Sequence, residues 1–282
     1  MKIFDASVIS LVSNALAEDI KGSDITTDAI ASRYNPQIKC EVITKEEGII
    51  CGLNIFSLVF DILSKNNYEI NYFAKEGEKL TKFQKVISIK AKSDIILYGE
   101  RTALNFLQFL SGIATASNLA ANELSGLKTK VLDTRKTLPG LRSLQKYAIN
   151  VGGASNHRFD LSSGILIKDN HIKLAGGIKN ALEMIRSYNA GFNQKIEVEV
   201  SSIEQVIEAL EGKADIIMLD NMSIAEMQKA VKLINGNTIV EISGNVTMKN
   251  LREIAEKTQA DFISMGSLTN AVKPIDFSLN FI

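Results

Sequence analysis

Residues 195–220 have the sequence KIEVEVSSIEQVIEALEGKADIIMLD, in which two short apolar runs flank a segment of helical period. The runs at 195–200 and 216–219 predict strands, and the segment at 203–210 predicts a helix between them. Two strands joined through a helix pair in parallel by a right-handed crossover. This strand–helix–strand unit therefore predicts an α/β fold for the part of the chain around it.

The same alternation extends on both sides of this unit, from residue 130 onward. The predicted strands lie at 131–133, 165–168, 195–200, 216–219, 238–242 and 262–265. The helical patterns between them lie at 141–151, 177–188, 203–210, 224–233 and 248–257. Six strands separated by helices predict a parallel sheet that curls toward a barrel. An open, doubly wound sheet has the same order of elements and is the alternative.

The chain before this region has a mixed pattern that predicts an α+β domain. An amphipathic helix is predicted at 5–20, and the polar residues 19–27 predict a helix stop followed by an N-cap. Further helices are predicted at 95–110 and 113–124, separated by Ser111 and Gly112. The β-rich runs lie at 39–44, 48–52, 68–73 and 86–91, with one helix at 53–64.

Composition excludes several classes of protein. The net charge of zero gives no support for a nucleic-acid or membrane-surface partner. Cys40 and Cys51 are too few for a disulfide framework and lack metal-ligand spacing, so we expect reduced side chains. The start of the chain lacks the features of a signal peptide, and no window is apolar enough for a membrane span. We therefore expect a cytoplasmic protein.

Residues 133–173 contain both histidines, His157 and His171, and seven basic side chains against three acids. Several of these cations follow short apolar runs, at the predicted carboxyl ends of strands, where α/β folds bind ligands. The segment therefore predicts a pocket for a small polyanion. A solvated charged face is the alternative.

Acidic side chains lie at or near the ends of three consecutive predicted strands, at Glu199, Asp220 and Glu241. In residues 196–200, alternation with period two places Glu197 and Glu199 on the face opposite the apolar residues. Acids inside a barrel are costly unless they meet cations or a ligand. We therefore expect this face to belong to the site, with coincidence and helix N-capping as the alternative.

Two loops after the last predicted strands, Ser243-Gly-Asn and Gly266-Ser-Leu-Thr-Asn270, contain residues suited to phosphate. Backbone N–H groups and hydroxyls there can hold an anion, and phosphate sites recur at this place in barrels. No serine or cysteine has an evident base partner, and two histidines do not make a zinc site. The acids are suited instead to a Mg²⁺–phosphate complex or to a developing cation.

Motifs spread over the whole chain resemble the quinolinate phosphoribosyltransferase family. The central ones are DTRKTLPGLRSLQKYA (133–148), GGASNHR (152–158), LIKDNHI (166–172), EVEV (197–200), MLDN (218–221) and SGN (243–245). Others are EDIKGSDITT (18–27), ERTALNFLQFLSGIAT (100–115) and SMGSLTNAVKPIDFSL (264–279). The order and coverage of these motifs make the resemblance specific.

The resemblance implies a two-domain fold, with an N-terminal α/β sandwich followed by an incomplete, about six-stranded parallel α/β barrel. The sandwich would span 1–104, joined by the C-terminal tail 273–282, and the barrel 105–272. The implied activity is Mg²⁺-dependent reaction of quinolinate with phosphoribosyl pyrophosphate, giving nicotinate mononucleotide, pyrophosphate and CO₂ in NAD biosynthesis. The implied assembly is a homodimer.

The resemblance also implies roles for individual residues. The carboxylates of quinolinate would be held by Arg135, His157, Arg158 and Lys168, and Arg101 would reach the site of the partner subunit. The catalytic residues at the ribosyl donor would be Lys136, Glu199 and Asp220. Mg²⁺ would arrive with the donor pyrophosphate, with Glu199 and Asp220 as candidate ligands. The donor phosphate would lie against Ser243, Gly244, Asn245, Gly266 and Asn270.

Two departures from the family pattern are visible, because Asn245 replaces a frequent glycine and Asn270 a frequent histidine. Three other functions compete with the implied one. A related enzyme could act on nicotinate without decarboxylation, but it would need fewer carboxylate contacts. A barrel aldolase could form a Schiff base at Lys136 or Lys168. A non-catalytic sensor could bind both substrates without turnover.

Overall fold

The structure is a computed structural model that describes residues 6–188 and 194–282. The first elements along the chain are α1 (Ala6–Asp19), α2 (Ile25–Ala31), β1 (Gln37–Thr44), β2 (Gly48–Ile49), α3 (Leu53–Ser64), β3 (Glu69–Tyr72), β4 (Lys79–Leu80), β5 (Lys85–Lys92) and α4 (Ser93–Glu123). They are followed by β6 (Lys130–Leu132), α5 (Arg142–Val151), β7 (Ile165–Ile167), α6 (Asp169–Ala175), α7 (Ile178–Tyr188), β8 (Ile196–Val200), α8 (Ile203–Glu211), β9 (Ile216–Asp220), α9 (Ile224–Ile234), β10 (Ile239–Ser243), α10 (Leu251–Thr258), β11 (Phe262–Ser264), α11 (Ser267–Asn270) and β12 (Phe277–Phe281).

The chain divides into two compact units. The first comprises Met1–Asn118, Leu138–Gly153 and Ala271–Ile282, and the second comprises Leu119–Thr137 and Ala154–Asn270. The boundary predicted between residues 104 and 105 falls inside the continuous helix α4. Three segments that the sequence analysis assigned to the barrel domain, 105–118, 138–153 and 271–272, lie in the first unit. The first five residues of the predicted domain 1–104, and the start of the helix predicted at 5–20, lie outside the described residues.

The first unit contains a four-stranded antiparallel sheet with the order β12-β1-β5-β3, and the short strands β2 and β4 pair separately. Strand β12, near the end of the chain, pairs with β1 in the register Val42↔Leu279. Helix α3 buries Phe56 and Phe60 completely. The N-cap predicted for the second helix is confirmed, because the Asp24 carboxylate accepts hydrogen bonds from the backbone N–H groups of Thr26 and Thr27.

The two helices predicted at 95–110 and 113–124 form one continuous helix, α4, so the predicted break at Ser111 and Gly112 is wrong. Glycine is needed at this point for packing rather than for a turn. A Cβ atom on Gly112 would lie 2.5 Å from the carbonyl oxygen of Lys273. The glycine therefore permits close approach of the chain that leads into β12, at a modest cost in helix propensity.

The second unit contains a six-stranded parallel sheet with the order β6-β11-β10-β9-β8-β7. Each strand from β7 to β11 lies beside its successor, and β6 lies beside the last of them. This cyclic order is that of a barrel, whereas a doubly wound sheet reverses its order partway. Strands β6 and β7 are not paired with each other in the part of the chain described. The predicted incomplete, six-stranded parallel α/β barrel is therefore confirmed.

The register of this sheet aligns the acidic strand positions. Met218 is the partner of Glu199 on one side and of Glu241 on the other. Asp220 is paired in the same way with Ser243. Because neighbouring residues of a row point to the same face of a sheet, these side chains converge. The register thus places Glu199, Asp220 and Glu241 on the same face of the sheet, the face that was predicted to belong to the site.

Two features of the helices complete the description. The short helix α6 is absent from the sequence prediction, and the ring of His171 accepts a hydrogen bond from the backbone N–H of Lys168 at 3.0 Å. His171 therefore caps the start of α6. Among the described residues, no helix combines the length and apolar character that a bilayer crossing requires.

Candidate anion-binding active site

A cleft of about 530 Å³ opens at the carboxyl ends of the strands of the second unit. Ten of the residues predicted for the site line it: Arg135, Lys136, His157, Arg158, Lys168, Glu199, Asp220, Ser243, Gly244 and Asn245. The sequence analysis did not single out several further lining residues: Thr134, Leu166, Met218, Asn221 and Ser264. The cleft thus brings the cationic residues, the acidic residues and the first phosphate loop together.

Lys168 and Glu199 form an ion pair across the cleft. Lys168 directly follows β7 and Glu199 lies in the adjacent strand β8, so the parallel pairing of these strands brings them together. The Glu199 side chain is 17% exposed and the Lys168 side chain 44%, so the pair is reachable by a ligand. This pair joins the predicted quinolinate half of the site to the predicted donor half.

Arg135 and Arg158 line the cleft together with Lys168, and these three side chains form its cationic wall. Burial and the charge of Arg135 lower the pKa of Arg158, since two guanidinium groups lie near each other. The buried Nε atom of Arg135 makes no hydrogen bond within the described ranges 6–188 and 194–282. Buried donors are normally satisfied, so crowded cations with spare donor capacity favour an anionic ligand.

His157 lies next to the cationic wall, and both its backbone and its ring contact other residues. Its backbone N–H donates to Asp133 Oδ1 at 2.8 Å, and its Nε2 atom lies 3.2 Å from Glu197 Oε2 and 3.6 Å from Glu241 Oε1. Burial alone would lower the pKa of His157, but the hydrogen bond to Glu197 and the charge of Glu241 raise it. Glu197 and Glu241 are therefore the acidic partners of His157.

Glu241 is buried beside another acid. Burial and the charge of Glu197 raise the pKa of Glu241 to about 8, against the opposing effect of His157. The hydroxyl of Ser264 also faces this carboxyl group. At neutral pH Glu241 is therefore mainly a neutral carboxylic acid.

The Glu241→Gln variant is expected to have a flatter dependence of stability on pH than the wild type. A raised pKa means that the folded state holds a proton which the unfolded state loses above about pH 4.5. The contribution of Glu241 to stability is therefore complete below that pH and is lost as pH rises through about 8. Between pH 5 and 8.5, the difference in unfolding free energy should move in favour of the variant by about 1–3 kcal/mol.

Urea unfolding at pH 5, 7 and 8.5 would measure this difference. Glu253→Gln is the matched control, because Glu253 is an exposed acid paired with Lys257 on α10. Its profile should run parallel to that of the wild type. If the pH profile of Glu241→Gln also ran parallel to that of the wild type, this result would contradict the presence of a proton on Glu241 at neutral pH.

The first phosphate loop is shaped by three residues with positive φ angles: Asn221 (55°), Gly244 (85°) and Asn245 (53°). Asn221 donates its backbone N–H to the Ser243 carbonyl at 3.0 Å and its amide to Asp220 Oδ2 at 2.7 Å. The Asn245 amide donates to Asn221 Oδ1 at 3.0 Å. Asn221 thus ties the loops after β9 and β10 together beside Asp220, and the sequence analysis did not single this residue out.

The second phosphate loop, Gly266 to Asn270, does not line the cleft itself but lies against Lys136. The Thr269 hydroxyl donates to the Lys136 carbonyl at 2.8 Å, and a Cβ atom on Gly266 would lie 3.0 Å from Lys136 Cδ. The Lys136 backbone N–H donates to Thr134 Oγ1 at 3.0 Å. This loop therefore determines where Lys136 lies.

Arg101 lies in the first unit, exposed on α4. It borders a cleft of about 380 Å³ that residues of α1 and α4 line together with Leu141. Its predicted contact with the site of a partner subunit remains a prediction.

An incomplete parallel barrel with cations, acids and a predicted phosphate loop around one cleft is typical of enzymes that act on anionic substrates. Comparison with protein families gives the specific group. The family described as quinolinate phosphoribosyl transferase, N-terminal domain, matches residues 24–111, and its C-terminal domain matches residues 113–280. The chain belongs to the quinolinate phosphoribosyl transferase family.

Individual relatives are similar over nearly their full length. A probable nicotinate-nucleotide pyrophosphorylase [carboxylating] of Synechocystis is 40% identical over 270 residues, covering 95% of this chain and 90% of that protein. A protein of the same description in Bacillus subtilis is 38% identical, with 96% and 92% covered. The solved nicotinate-nucleotide pyrophosphorylase of Francisella tularensis is 39% identical, with a TM-score of 0.93 and coverage of 100% and 98%. The two-domain fold is therefore that of this family.

Proposed function

We propose that the chain transfers the phosphoribosyl group of phosphoribosyl pyrophosphate to quinolinate with decarboxylation. The products are nicotinate mononucleotide, pyrophosphate and CO₂, as required in the de novo synthesis of NAD. The observation that carries this proposal is the single cleft in which Arg135, Arg158 and Lys168 face Glu199 and Asp220. Family membership supports the same conclusion.

The cationic wall supplies recognition of a dicarboxylate. Arg135, Arg158 and Lys168 can each make charge-assisted hydrogen bonds to a carboxylate, worth about 1.5–3 kcal/mol apiece. A monocarboxylate such as nicotinate would forgo one or more of them. Three cations on one wall therefore favour quinolinate over nicotinate.

The acidic residues act at the ribosyl donor. Departure of pyrophosphate leaves positive charge on the ribose, which the Glu199 and Asp220 carboxylates stabilise electrostatically. The pyridine nitrogen of quinolinate attacks the same carbon, so no protein nucleophile is needed. Lys136, exposed at the edge of the cleft, stabilises negative charge on the departing pyrophosphate. The phosphate of the donor lies against Ser243, Gly244 and Asn245.

Decarboxylation follows from the transfer. Once the ring nitrogen is ribosylated and positive, it stabilises the electron pair that loss of CO₂ leaves on the adjacent ring carbon, and that carbon then takes a proton from solvent to give nicotinate mononucleotide. The protein then contributes mainly positioning of the carboxylates by the cationic wall.

Mg²⁺ fits the chemistry of this cleft. Mg²⁺ prefers oxygen ligands and is usually bound through one or two carboxylates together with substrate phosphates. Glu199 and Asp220 place carboxylate oxygens on the cleft wall and would hold it. When bound, it would neutralise charge on pyrophosphate.

We also propose a homodimer in which Arg101 reaches the site of the partner subunit, and a location in the cytoplasm. The exposure of Arg101 on α4 supports the first proposal. Measuring the quinolinate KM of Arg101→Ala together with its mass in solution would test it. A dimer with an unchanged KM would exclude the role of Arg101.

The deciding experiment measures release of CO₂ and nicotinate mononucleotide from quinolinate, phosphoribosyl pyrophosphate and Mg²⁺, with nicotinate in parallel. Turnover of quinolinate alone is expected. Turnover of nicotinate alone would overturn the assignment of the cationic wall. Binding of both substrates without turnover would favour a sensor, and borohydride trapping of a carbonyl compound on Lys136 or Lys168 would favour an aldolase.

The Asn270→His variant is expected to make donor binding depend on pH. Asn270 can donate a hydrogen bond to phosphate but carries no charge, whereas a histidine gains a charge below about pH 6.5. The KM for phosphoribosyl pyrophosphate should therefore fall below pH 6.5 in the variant, relative to the wild type. Steady-state kinetics from pH 5.5 to 8 would measure this. Superimposable pH profiles would show that residue 270 does not face the donor phosphate.

A further inference from the structure

A chain of hydrogen bonds from asparagine side chains runs through the loops after β9 and β10 and ends on Asp220. The Asn250 amide donates to the Asn245 carbonyl at 3.1 Å, and the Asn245 amide donates to Asn221 Oδ1 at 3.0 Å. The Asn221 amide in turn donates to Asp220 Oδ2 at 2.7 Å. These bonds lead from the start of α10 to a carboxylate that is proposed to act at the ribosyl donor.

The direction of this chain of hydrogen bonds is fixed by chemistry. An ionised carboxylate only accepts hydrogen bonds, so the group of Asn221 that faces Asp220 must be its NH₂ group. The side-chain oxygen of Asn221 then faces Asn245, which must present its own NH₂ group. Turning either amide over would place two acceptors or two donors against each other. Each of the two amides therefore has a single orientation.

The backbone holds Asn221 and Asn245 where these bonds form. Asn221 has a φ of 55° and Asn245 a φ of 53°, a left-handed conformation that asparagine adopts more readily than most residues. The Asn221 side chain also lies against Gly244, because a Cβ atom on that glycine would be 2.3 Å from Asn221 Oδ1. The Asn221 amide therefore has little freedom to turn away from Asp220.

Asp220 depends on an outside partner for the orientation of its carboxylate. The terminal torsion of an aspartate side chain has broad energy wells, so the rotamer alone does not hold the two oxygens in place. Asn221 binds Oδ2, and Oδ1 makes no hydrogen bond within the part of the chain that the structure describes. Asp220 lines the cleft. One oxygen is thus held by the protein, and the other is available to a ligand.

We propose that Asn221 and Asn245 are positioning residues for the ribosyl transfer. Asn245 holds the amide of Asn221, and Asn221 fixes the rotation of the Asp220 carboxylate so that Oδ1 faces the ribosyl donor. This inference rests on the proposed function and deepens it at one residue. The side chain of Asn245 acts through Asn221 and Asp220, and contact with the donor phosphate falls to the backbone of the loop.

Asn245→Gly tests this proposal, because glycine adopts a φ of 53° without strain and only the side chain is lost. Asp220 is proposed to stabilise charge that develops in the transition state, so a misaligned carboxylate should lower kcat and leave KM unchanged. We expect kcat to fall about 5- to 10-fold, with the KM for phosphoribosyl pyrophosphate within about twofold of the wild type. An unchanged kcat would refute the proposal, and a raised KM beside it would show that the Asn245 amide contacts the phosphate itself.

Asn235→Gly is the matched control variant. Asn235 ends α9 with a φ of 47° and does not line the cleft, so its kinetics should stay within about twofold of the wild type. The double variant Asp220→Ala/Asn245→Gly should be within about twofold of Asp220→Ala alone, because no carboxylate is left to align. Multiplicative losses would show that Asn245 does not act through Asp220 and would contradict the proposal.

Hydrogen exchange of the asparagine side-chain amides, followed by NMR, tests the geometry without substrates. The Asn221 signals are those missing from Asn221→Asp, and the exposed Asn237 is the reference. We expect exchange at Asn221 to be about 10-fold slower than at Asn237, because its amide donates to a charged acceptor, and to become about threefold faster in Asn245→Gly. Exchange as fast as at Asn237, or exchange unaffected by Asn245→Gly, would overturn the proposal.

The kinetic and exchange measurements separate this inference from the proposed function. A wild-type enzyme without turnover would refute the proposed function, and the exchange measurement would still decide whether Asn245 and Asn221 hold Asp220. If the wild type turns over quinolinate and the kcat of Asn245→Gly is unchanged, the proposed function stands and this inference fails.

Discussion

Lys168→Ala is expected to lower kcat/KM for quinolinate by about 100-fold. The variant loses one charge-assisted hydrogen bond to a substrate carboxylate, worth about 1.5–3 kcal/mol, or roughly 10- to 150-fold. It also leaves Glu199, the partner of Lys168, facing a dianionic substrate without its counter-charge. The two effects act in the same direction, so the upper part of this range is expected.

Steady-state kinetics with each substrate varied in turn would measure the loss. Lys173→Ala is the matched control, since Lys173 lies five residues further along and pairs only weakly with Asp169, at 3.4 Å on the exposed face of α6. Its kinetics should stay within about twofold of the wild type. A loss of less than about threefold in Lys168→Ala would remove Lys168 from the proposed carboxylate site.

Gly244→Ala is expected to lower kcat/KM for phosphoribosyl pyrophosphate by about 100-fold. Gly244 has a φ of 85°, and an added Cβ atom would lie 2.3 Å from Asn221 Oδ1 and 2.7 Å from the Asn221 backbone nitrogen. Neither contact can be kept, so the loops after β9 and β10 must separate. A displacement of about 1 Å in a substrate-holding loop can cost about 100-fold in rate.

Gly236→Ala is the control variant, because it introduces the backbone strain of a positive φ without a clash at the Cβ atom. Gly236 has a φ of 73°, but no atom lies within 4 Å of the Cβ position. Both variants should lose on the order of 1 kcal/mol of stability from backbone strain, and only Gly244→Ala should lose donor binding. Equal donor kinetics in the two variants would show that the donor phosphate does not lie against the loop after β10.

The sequence by itself determined that the strands of the second unit pair in parallel, and it determined the charged residues that the cleft gathers. Hydrophobic periodicity predicts each strand locally, and ligands collect at the carboxyl ends of parallel strands whatever their exact packing. For this reason Lys168, Glu199, Asp220 and Ser243 could be assigned to one site from their positions alone. The resemblance to a family added roles that position does not supply.

The tertiary structure alone decided how α4 continues through Gly112, and what His157, Glu241 and Asn221 do. Gly112 resembles a helix break in the sequence, and its packing reason depends on a residue 161 positions away, Lys273. The pKa of His157 depends on its burial and on two acids from different strands, Glu197 and Glu241. Periodicity records which face a side chain occupies, but a pKa or a hydrogen-bond partner depends on distances between residues remote in sequence, and those exist only in the folded chain.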